Sequence, residues 1–293
     1  MPAYGCSYHI HMKVFYDIPS TRKAIKSIRQ ANKSIGLVAT MGSLHDGHLS
    51  LITASKKNND ITVATIFVNP IQFNNPDDLK NYPSSLADDL EFLEKYHCDI
   101  VFIPSAADMY PKEPVIKFDF GGLDNTMEGS FRPGHFSGVA LVVMKLFQIL
   151  LPTRAYFGQK DLQQFAILEK MQFDCSLDVE LIMMPIIRED SGLALSSRNT
   201  RLSEKGKAIA PQIFIALNLV ATTLKNGSTI KDAIAQAHAH LATYQEIKIE
   251  YIKLVNLKDL RIVETSNGND PLALCFAGYV ENIRLIDNLV ING

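Results

Sequence analysis

The fold class is decided by residues 35–68, which read IGLVATMGSLHDGHLSLITASKKNNDITVATIFV. Residues 35–40 and 61–68 are short β-prone runs, and each of them ends at a turn signal. The segment between them places its leucine, isoleucine and alanine residues at helical spacing. Strand, helix and strand within about thirty residues predict a βαβ unit on a parallel sheet that is buried on both faces.

The same alternation of helical and strand patterns continues to residue 190. Helical patterns occupy residues 86–95, 138–150 and 161–171, and apolar strand patterns occupy residues 100–103, 155–157 and 179–184. Helices that alternate with apolar strands are typical of an α/β protein. We therefore predict a Rossmann-like, doubly wound parallel sheet.

The pattern changes after Arg198. Two helical segments, residues 203–224 and 229–244, are followed by three β-prone runs at residues 247–255, 272–280 and 283–286. Helices followed by a run of strands predict a smaller C-terminal α+β domain. We place the domains at residues 12–188 and 189–293, and we interpret residues 1–11 as an N-terminal extension because periodic sequence begins only after Met12.

The overall composition is that of a soluble, cytoplasmic protein. The chain has 293 residues, a formal net charge of −2 and a hydrophobic fraction of 47%, which argues against a broad nucleic-acid-binding face. Its four cysteines lie far apart without metal-ligand spacing (Cys6, Cys98, Cys175 and Cys275). The longest apolar run, residues 138–150, carries Lys145 and is too short for a membrane span. The start of the chain lacks a signal-peptide pattern.

The strongest local signal for function is the sequence His45-Asp46-Gly47-His48. It follows a predicted strand and stands where a helix begins, and a helix N-terminus offers free N–H groups and a positive dipole end to phosphate. Two imidazoles three positions apart can face the same anion, and Gly47 allows close approach of the backbone to a nucleotide. Helix capping and metal binding are alternative interpretations of the two histidines.

The H-x-G-H pattern resembles the signature of the nucleotidylyl transferase superfamily, and the surrounding blocks resemble the pantothenate synthetase family. These blocks are residues 40–48 (TMGSLHDGH), 66–73 (IFVNPIQF), 132–136 (RPGHF), 155–161 (AYFGQKD), 192–199 (GLALSSRN) and 284–288 (RLIDN). Their order and spacing extend the resemblance from Met12 to Asn288.

This resemblance implies a two-step synthesis of pantothenate. The carboxylate of pantoate attacks the α-phosphate of ATP to give pantoyl adenylate and pyrophosphate, and the amine of β-alanine then displaces AMP. Two alternatives remain open at this stage. One is another nucleotidylyl transferase of the same fold, and the other is a nucleotide-binding protein without catalytic activity.

The resemblance also implies roles for individual residues. His45, His48, Lys160 and Arg198 would be catalytic, with His48 closest to the developing phosphate charge. The expected ATP-binding residues are Met41, Gly42, Ser43, Leu44, His45, Asp46, Gly47, His48, Gly158, Gln159, Lys160, Asp161, Ile187, Leu195, Ser196, Ser197 and Arg198. The expected residues for pantoate and β-alanine are Asn69, Gln72, Gln164, Arg132 and His135, with Phe67, Val142 and Val143 as apolar walls.

Further expectations concern the metal, the assembly and two departures from the family pattern. ATP chemistry implies Mg²⁺, for which Asp88 and Asp89 are candidate ligands, although exposed carboxylates on a helix are more often only solvated.

The family implies a homodimer and a C-terminal domain that closes over the nucleotide. Ala39 stands where proline is common, and Gln159 replaces a common glutamate, which puts a charged contact at that position in doubt.

Overall fold

The computed structural model describes residues 12–83, 85–265 and 270–291. The proposed extension, residues 1–11, lies outside the described residues. The strands are β1 (Lys13–Phe15), β2 (Ile35–Thr40), β3 (Ile61–Ile66), β4 (Ile100–Phe102), β5 (Arg154–Gly158), β6 (Glu180–Met184), β7 (Ile247–Asn256), β8 (Leu272–Val280) and β9 (Ile283–Ile291).

Eleven α-helices are present among the described residues. They are α1 (Ile18–Gln30), α2 (Asp46–Asn58), α3 (Pro76–Lys80), α4 (Leu86–Lys95), α5 (Ala106–Met109), α6 (Glu128–Phe131), α7 (His135–Leu150), α8 (Leu162–Asp174), α9 (Glu204–Ile209), α10 (Gln212–Lys225) and α11 (Ile230–Leu241). Short 3₁₀ helices lie at Pro70–Gln72, Gly121–Asp124, Gln159–Asp161 and Ser197–Arg201.

The first six strands form one parallel sheet in the order β1-β4-β3-β2-β5-β6. The prediction of a doubly wound parallel sheet is therefore confirmed. From β2 the chain adds β3 and β4 on one side, and later adds β5 and β6 on the other. The order thus reverses between β2 and β5, and ligands of such sheets bind beyond the carboxyl ends of the strands at this switch point.

Side chains of the parallel sheet alternate between two apolar cores. Leu37, Val63 and Phe102 pack in the core that contains α7, whereas Val38 and Ala64 pack in the core on the α2 and α4 side. Because successive residues of a strand point to opposite faces, continuous apolar runs are needed where both faces are covered. This requirement explains why β2 and β3 could be recognised from sequence.

The last three strands form an antiparallel sheet in the order β7-β8-β9. Helices α10 and α11 cover one face and build a separate apolar core with Leu274 and Phe276. The other face carries Tyr251 and Cys275, which pack with Met127 and Leu162 from the parallel-sheet part of the chain. The C-terminal sheet is therefore buried on both faces.

Several elements differ from the sequence-based prediction. Strand β1 and helix α1 were not predicted, and β9 continues to Ile291 instead of ending at residue 286. Residues 203–224, predicted as one helix, form α9 and α10, and Pro211 is the N-cap of the second. Within the described residues, one stretch, Glu204–Lys225, has the length and hydropathy of a membrane crossing, and 44% of its apolar 18-residue window is buried inside the protein.

Candidate active site

The loop that joins β2 to α2 forms the first part of the site. Gly42 (φ 85°) and Ser43 (φ 53°) adopt left-handed backbone conformations, which turn the chain sharply at the end of the strand. The carboxylate of Asp89 in α4 accepts hydrogen bonds from the backbone N–H groups of Ser43 (2.9 Å) and Leu44 (2.7 Å). A Cβ atom at position 42 would lie 2.7 Å from Oδ2 of Asp89. The loop therefore depends on the glycine and the carboxylate together.

These contacts correct the interpretation of Asp89. The prediction that this candidate magnesium ligand is exposed is wrong, because only 3% of Asp89 is exposed and both of its oxygens hold the loop. Asp88, its neighbour on α4, is exposed as predicted. Across residues 12–83, 85–265 and 270–291, no group of three or more His, Cys, Asp or Glu residues has an arrangement that could hold a metal ion.

His45 and His48 form a capping box at the start of α2, in which each imidazole accepts a hydrogen bond from a backbone N–H group. His45 is the N-cap, and its Nδ1 accepts a hydrogen bond from the N–H of Gly47 at 3.1 Å. Nδ1 of His48 accepts from the N–H of His45 at 3.2 Å, and the two ring centroids are 4.1 Å apart. In a neutral imidazole whose Nδ1 accepts, the proton is on Nε2. Each ring can therefore donate a hydrogen bond from Nε2–H.

The surroundings of the two rings favour their neutral forms. Burial lowers the pKa of His45 to about 4, with a further contribution from Lys160. Burial likewise lowers the pKa of His48 to about 3, and the neighbouring His45 and Lys160 act in the same direction. At neutral pH both imidazoles are therefore uncharged hydrogen-bond donors, and the positive charge of this region comes from Lys160 and from the dipole of α2.

Gly47 is required for a reason that the sequence did not reveal. A Cβ atom there would lie 2.7 Å from Cε1 of His45, closer than carbon atoms normally approach. The expectation was that Gly47 makes room for a nucleotide. In the structure it first makes room for the His45 ring, so the helix-capping interpretation of the histidines and the anion-binding one are compatible.

Lys160 lies on the short 3₁₀ helix that follows β5, the strand next to β2 across the switch point. Its side chain is 19% exposed, and Nζ is 3.9 Å from Oδ1 of Asp161. Lys160 therefore lies on the β5 side of the switch point, whereas the histidines lie on the β2 side.

The third part of the site is the segment with Ser196, Ser197 and Arg198. Oγ of Ser197 donates to the backbone oxygen of Ser43 at 2.9 Å, and Oγ of Ser196 accepts from the N–H of Arg198 at 3.3 Å. The guanidinium of Arg198 forms an ion pair with Asp78 at 2.9 Å. The serines thus join this segment to the histidine loop and position the arginine.

The expected pantoate residues form a polar group behind the histidine loop. Nδ2 of Asn69 donates to Oε1 of Gln72 at 3.0 Å, and Nε2 of Gln72 contacts the sulfur of Met41 at 3.1 Å. The hydroxyl of Tyr110 donates to Oδ1 of Asn69 at 2.8 Å. The two amides are therefore held in place, and Phe67 lines the same cavity as Gln72.

Two adjacent glutamines in α8 have different surroundings. Gln164 lines the cavity, as predicted. Gln163 is buried, accepts from the N–H of Glu128 and donates to the backbone oxygens of Leu123 and Thr126. The side chain of Gln163 therefore holds the segment before α6 in place.

Arg132 and His135, the candidates for the β-alanine side, contact each other. Nδ1 of His135 lies 2.8 Å from the backbone oxygen of Gln72, and its Nε2 lies 3.2 Å from NH1 of Arg132. Burial, together with Arg132, lowers the pKa of His135 to about 4. With Nδ1 donating to a carbonyl and Nε2 accepting from a guanidinium, both nitrogens of His135 are occupied. His135 thus orients Arg132, and Arg132 is the one that can meet a ligand.

The predicted residues converge on one cavity of about 230 Å³. It is lined by Met41, His45, Gly47, His48, Asn69, Gln72, Arg132, His135, Gly158, Lys160, Asp161, Gln164, Ile187, Leu195, Ser196, Ser197 and Arg198, with Phe67, Val142 and Val143 as apolar walls. Gly42, Ser43, Leu44, Asp46 and Gln159, which were also predicted, are outside this lining. The backbone oxygen of Ile187 is bonded to the N–H of Leu195.

A second cavity of about 400 Å³ adjoins the first and extends towards the C-terminal sheet. Arg132, Lys160 and Arg198 line both cavities, whereas Glu128 and Arg284 line only the second. The cleft therefore runs from the histidine loop to the contact between the two sheets.

Among the lining residues that the sequence did not predict, Asp78 and Tyr82 both contact Arg198. Tyr82 lines the cavity of the histidines, and its ring centroid lies 5.7 Å from the guanidinium of Arg198. The asparagines and the proline around position 75 do signal a turn. Nothing in the local pattern indicates that this turn folds back over a cleft, because that depends on contacts with residues about 120 positions away.

Together these features define an α/β protein with a cleft at the switch point of its parallel sheet, lined by Lys160, Arg132 and Arg198. The sequence profile described as Pantoate-beta-alanine ligase matches residues 13–290. The chain belongs to this family, whose members are ligases that join pantoate to β-alanine.

Individual relatives agree with this assignment. The pantothenate synthetase of Cytophaga hutchinsonii is 46% identical over 275 residues, which cover 94% of this chain and 97% of the relative. That of Thermosipho africanus is 43% identical and covers 96% of this chain and 100% of the relative. Both alignments cover nearly the full length of the two proteins compared.

Solved structures lead to the same family. The crystal structure of pantothenate synthetase from Thermus thermophilus matches with a TM-score of 0.90 at 34% identity, covering 96% of this chain and 100% of that one. The pantoate-beta-alanine ligase of Francisella tularensis, complexed with beta-gamma ATP and beta-alanine, matches with a TM-score of 0.78 at 34% identity. This match covers 95% of this chain and 97% of that one.

Proposed function

We propose that the chain condenses pantoate with β-alanine at the expense of ATP, through a pantoyl adenylate. The observation that carries this proposal is that His45, His48, Lys160 and Arg198 line one cavity from three separate segments. The Francisella relative at 34% identity was crystallised with an ATP compound and β-alanine, which supports the same two ligands here. Pantoate is the remaining substrate in the family's description.

In the first step, we propose, a carboxylate oxygen of pantoate attacks the α-phosphorus of ATP. The bond from this phosphorus to the bridging oxygen breaks, and pyrophosphate leaves with the electron pair. Nε2–H of His48 and the ammonium of Lys160 would donate to the α-phosphate as its negative charge increases. Donation from a neutral imidazole needs no proton transfer, which agrees with the low pKa of His48.

Arg198 and the preceding serines would bind the triphosphate from the opposite wall. In the structure Arg198 is paired with Asp78, so binding of ATP would exchange a carboxylate partner for phosphate oxygens. A guanidinium can engage two such oxygens at once. We propose that adenine lies against Ile187 and that the Lys160 turn contacts the ribose.

The acyl half of the reaction would take place between Gln72 and Gln164. Their amides can orient the carboxylate and hydroxyl groups of pantoate, while Val142 and Val143 contact its methyl groups. In the second step the amine of β-alanine attacks the acyl carbon, the bond to the adenylate oxygen breaks and AMP leaves. We propose that Arg132, oriented by His135, binds the carboxylate of β-alanine.

We propose that magnesium enters with ATP as part of the substrate. Mg²⁺ is usually held by substrate phosphates, water and one or two carboxylates. The described residues offer no protein-built metal cluster, and Asp89 uses both oxygens on the histidine loop. The ion would therefore be held by the phosphates of ATP and by water.

We further propose a homodimer in the cytoplasm, with residues 12–188 as the nucleotide- and pantoate-binding domain and residues 189–293 as a C-terminal lid. The side chains of Val115 and Ile116 are 89% and 64% exposed, an apolar pair that a second copy could cover. Cys98, Cys175 and Cys275 are free thiols, which favours a reducing compartment. Measurement of the molar mass by light scattering on dilution tests the dimer.

The activity itself is tested by incubating the protein with ATP, pantoate and β-alanine and measuring AMP. We expect AMP release at a steady rate only when both acids are present, with one pantothenate formed for each AMP. With pantoate alone, we expect at most one adenylate per active site. Steady AMP release without β-alanine, or none with both acids, would contradict the proposal.

A further inference from the structure

The turn that carries Lys160 is held by one side chain of the C-terminal sheet. Asn288 in β9 donates from Nδ2 to the backbone oxygens of Gln159 (2.9 Å) and Lys160 (3.0 Å). Its Oδ1 accepts from Nε2 of Gln159 at 3.0 Å. Asn288 is 2% exposed, so these bonds are protected from water. Both polar atoms of the side chain are used on this one turn.

Asn288 is itself fixed by an ion pair. The N–H of Asn288 donates to Oδ1 of Asp287 at 2.7 Å. Arg188 holds both carboxylate oxygens of Asp287, at 2.7 and 2.8 Å, and also donates to the backbone oxygen of Asn288 at 3.1 Å. Because Arg188 follows the last strand of the parallel sheet, the Asn288 side chain has a defined position relative to that sheet.

The Lys160 turn needs such a partner. It is a single 3₁₀ turn of three residues between β5 and α8, and the backbone oxygens of so short a turn are poorly satisfied by local hydrogen bonds. A lysine is a point charge on a flexible stem, so its ammonium follows any displacement of its own backbone. Misplacement of a catalytic group by about 1 Å can cost roughly 10²-fold in rate.

We infer that Asn288 is a positioning residue for adenylate formation, which acts by holding the backbone of Gln159 and Lys160. Asn288 lines the second cavity but not the cavity of the histidines. Both polar atoms of its side chain are bonded to the Lys160 turn, so it acts through the lysine. The inference rests on the function proposed above for Lys160. It also gives a structural reason for Gln159, whose amide donates to Oδ1 of Asn288, where a glutamate could not donate.

The test is a double-mutant cycle on the full-length protein. We would measure the single-turnover rate of pantoyl adenylate formation and the KM for pantoate in wild type, Asn288→Ala, Lys160→Ala and the double variant. Asn288→Ala is expected to lower the rate roughly tenfold or more and to leave the KM for pantoate within about twofold. In the Lys160→Ala background, the same change should have less than about a twofold effect, because the group that it positions is already gone.

Thr223→Ala is the matched control for loss of stability. Thr223 is also buried in the C-terminal part, and its hydroxyl bonds to Oε1 of Gln236 between α10 and α11. Thr223 lines neither cavity of the cleft. This variant should lose stability with the adenylation rate within about twofold of wild type. Asn288→Ser, a milder truncation, is measured in the same way if Asn288→Ala does not fold.

The outcomes separate the two proposals. If Lys160→Ala lowers the adenylation rate and Asn288→Ala does not, only the positioning function of Asn288 is overturned. An equal loss from Asn288→Ala in both backgrounds also overturns it, since the two residues would then act independently. A normal rate for Lys160→Ala overturns the function of the lysine, and the inference about Asn288 with it.

Discussion

At the scale of single residues, the two histidines combine a structural contact with a free donor. Nδ1 of each ring caps a backbone N–H at the start of α2, and this bond fixes the tautomer that leaves Nε2–H available. A single substitution at either position would therefore change two properties at once. Amide side chains can separate these properties, because asparagine places its oxygen near the position of Nδ1, whereas glutamine places its nitrogen near that of Nε2.

Substitutions of His48 should separate capping from catalysis. His48→Ala is expected to lower turnover roughly 10²-fold or more with the fold intact. His48→Asn should keep the cap and the stability but lose turnover to a similar extent, while His48→Gln should retain more turnover than either. Steady-state kinetics and urea unfolding of the three variants check this expectation. Near-normal turnover in His48→Ala would contradict the proposed function of the ring.

His135 should make stability depend on pH. Its pKa is lowered from 6.5 to about 4 by burial and by Arg132. Below about pH 6.5 the unfolded chain therefore takes up a proton that the folded chain does not, and the free energy of unfolding falls as the pH decreases towards 4. At pH 5 this loss is on the order of 2 kcal/mol for the one residue.

Urea unfolding at pH 7 and pH 5 measures this loss. His135→Gln should reduce the difference between the two pH values, although His45 and His48 still contribute to it in the same direction. His238→Gln, at an exposed position on α11, should leave the difference as in wild type. If His135→Gln has the same pH dependence as wild type, the assignment of a buried neutral ring is wrong.

At the scale of elements, the loop after β2 is shaped by a helix that lies later in the chain. Ser43 adopts a left-handed backbone conformation that is unfavourable for a non-glycine residue, and α4 supplies the Asp89 carboxylate that accepts from the loop. The segment with Ser197 adds a bond to Ser43 from the other side. Two later segments of the chain therefore hold this loop.

Asp89→Asn should weaken this loop. An asparagine oxygen can accept one of the two loop N–H bonds, but the amide NH₂ then faces the other N–H. We expect the free energy of unfolding to fall by about 1–3 kcal/mol and the KM for ATP to rise. Asp88→Asn, on the exposed side of the same helix, is the matched control and should behave as wild type in both measurements. If the two variants cannot be distinguished, Asp89 does not hold the loop.

At the scale of the whole molecule, buried ion pairs beside the cleft join the C-terminal sheet to α6. Arg284 of β9 donates to both carboxylate oxygens of Glu128 at 2.7 Å and also to Glu250 at 2.9 Å. The hydroxyl of Tyr251 completes the cluster with a bond to Glu128 at 2.9 Å. Because these charges are largely removed from water, each depends on its partners.

Removal of one member should therefore destabilise the protein strongly. Arg284→Met leaves the carboxylates of Glu128 and Glu250 buried without their cation, and we expect a loss of about 3–5 kcal/mol in the free energy of unfolding. Adding Glu128→Gln to Arg284→Met should recover part of this loss. Arg261→Met is the control, since Arg261 is exposed and its ion pair spans 4.0 Å. Equal stabilities for Arg284→Met and Arg261→Met would exclude a structural contribution from the cluster.

The sequence alone determined the βαβ order, the parallel sheet and the positions of the three cleft segments. Apolar periodicity and turn residues are local signals, and the carboxyl ends of parallel strands meet at one edge, so His48, Lys160 and Arg198 could be brought together before any coordinates. The resemblance of six blocks to one family supplied the substrates, and the family match over residues 13–290 confirmed that choice.

Only the tertiary structure decided which polar side chains are free to act. Asp89, read as exposed, lies 45 positions from the loop N–H that it holds, and Asn288 lies 129 positions from its partner in the Lys160 turn. The occupation of both nitrogens of His135 likewise depends on Gln72, 63 positions away. A hydrogen bond acts over about 3 Å, and packing, not local sequence, brings such distant groups within that range.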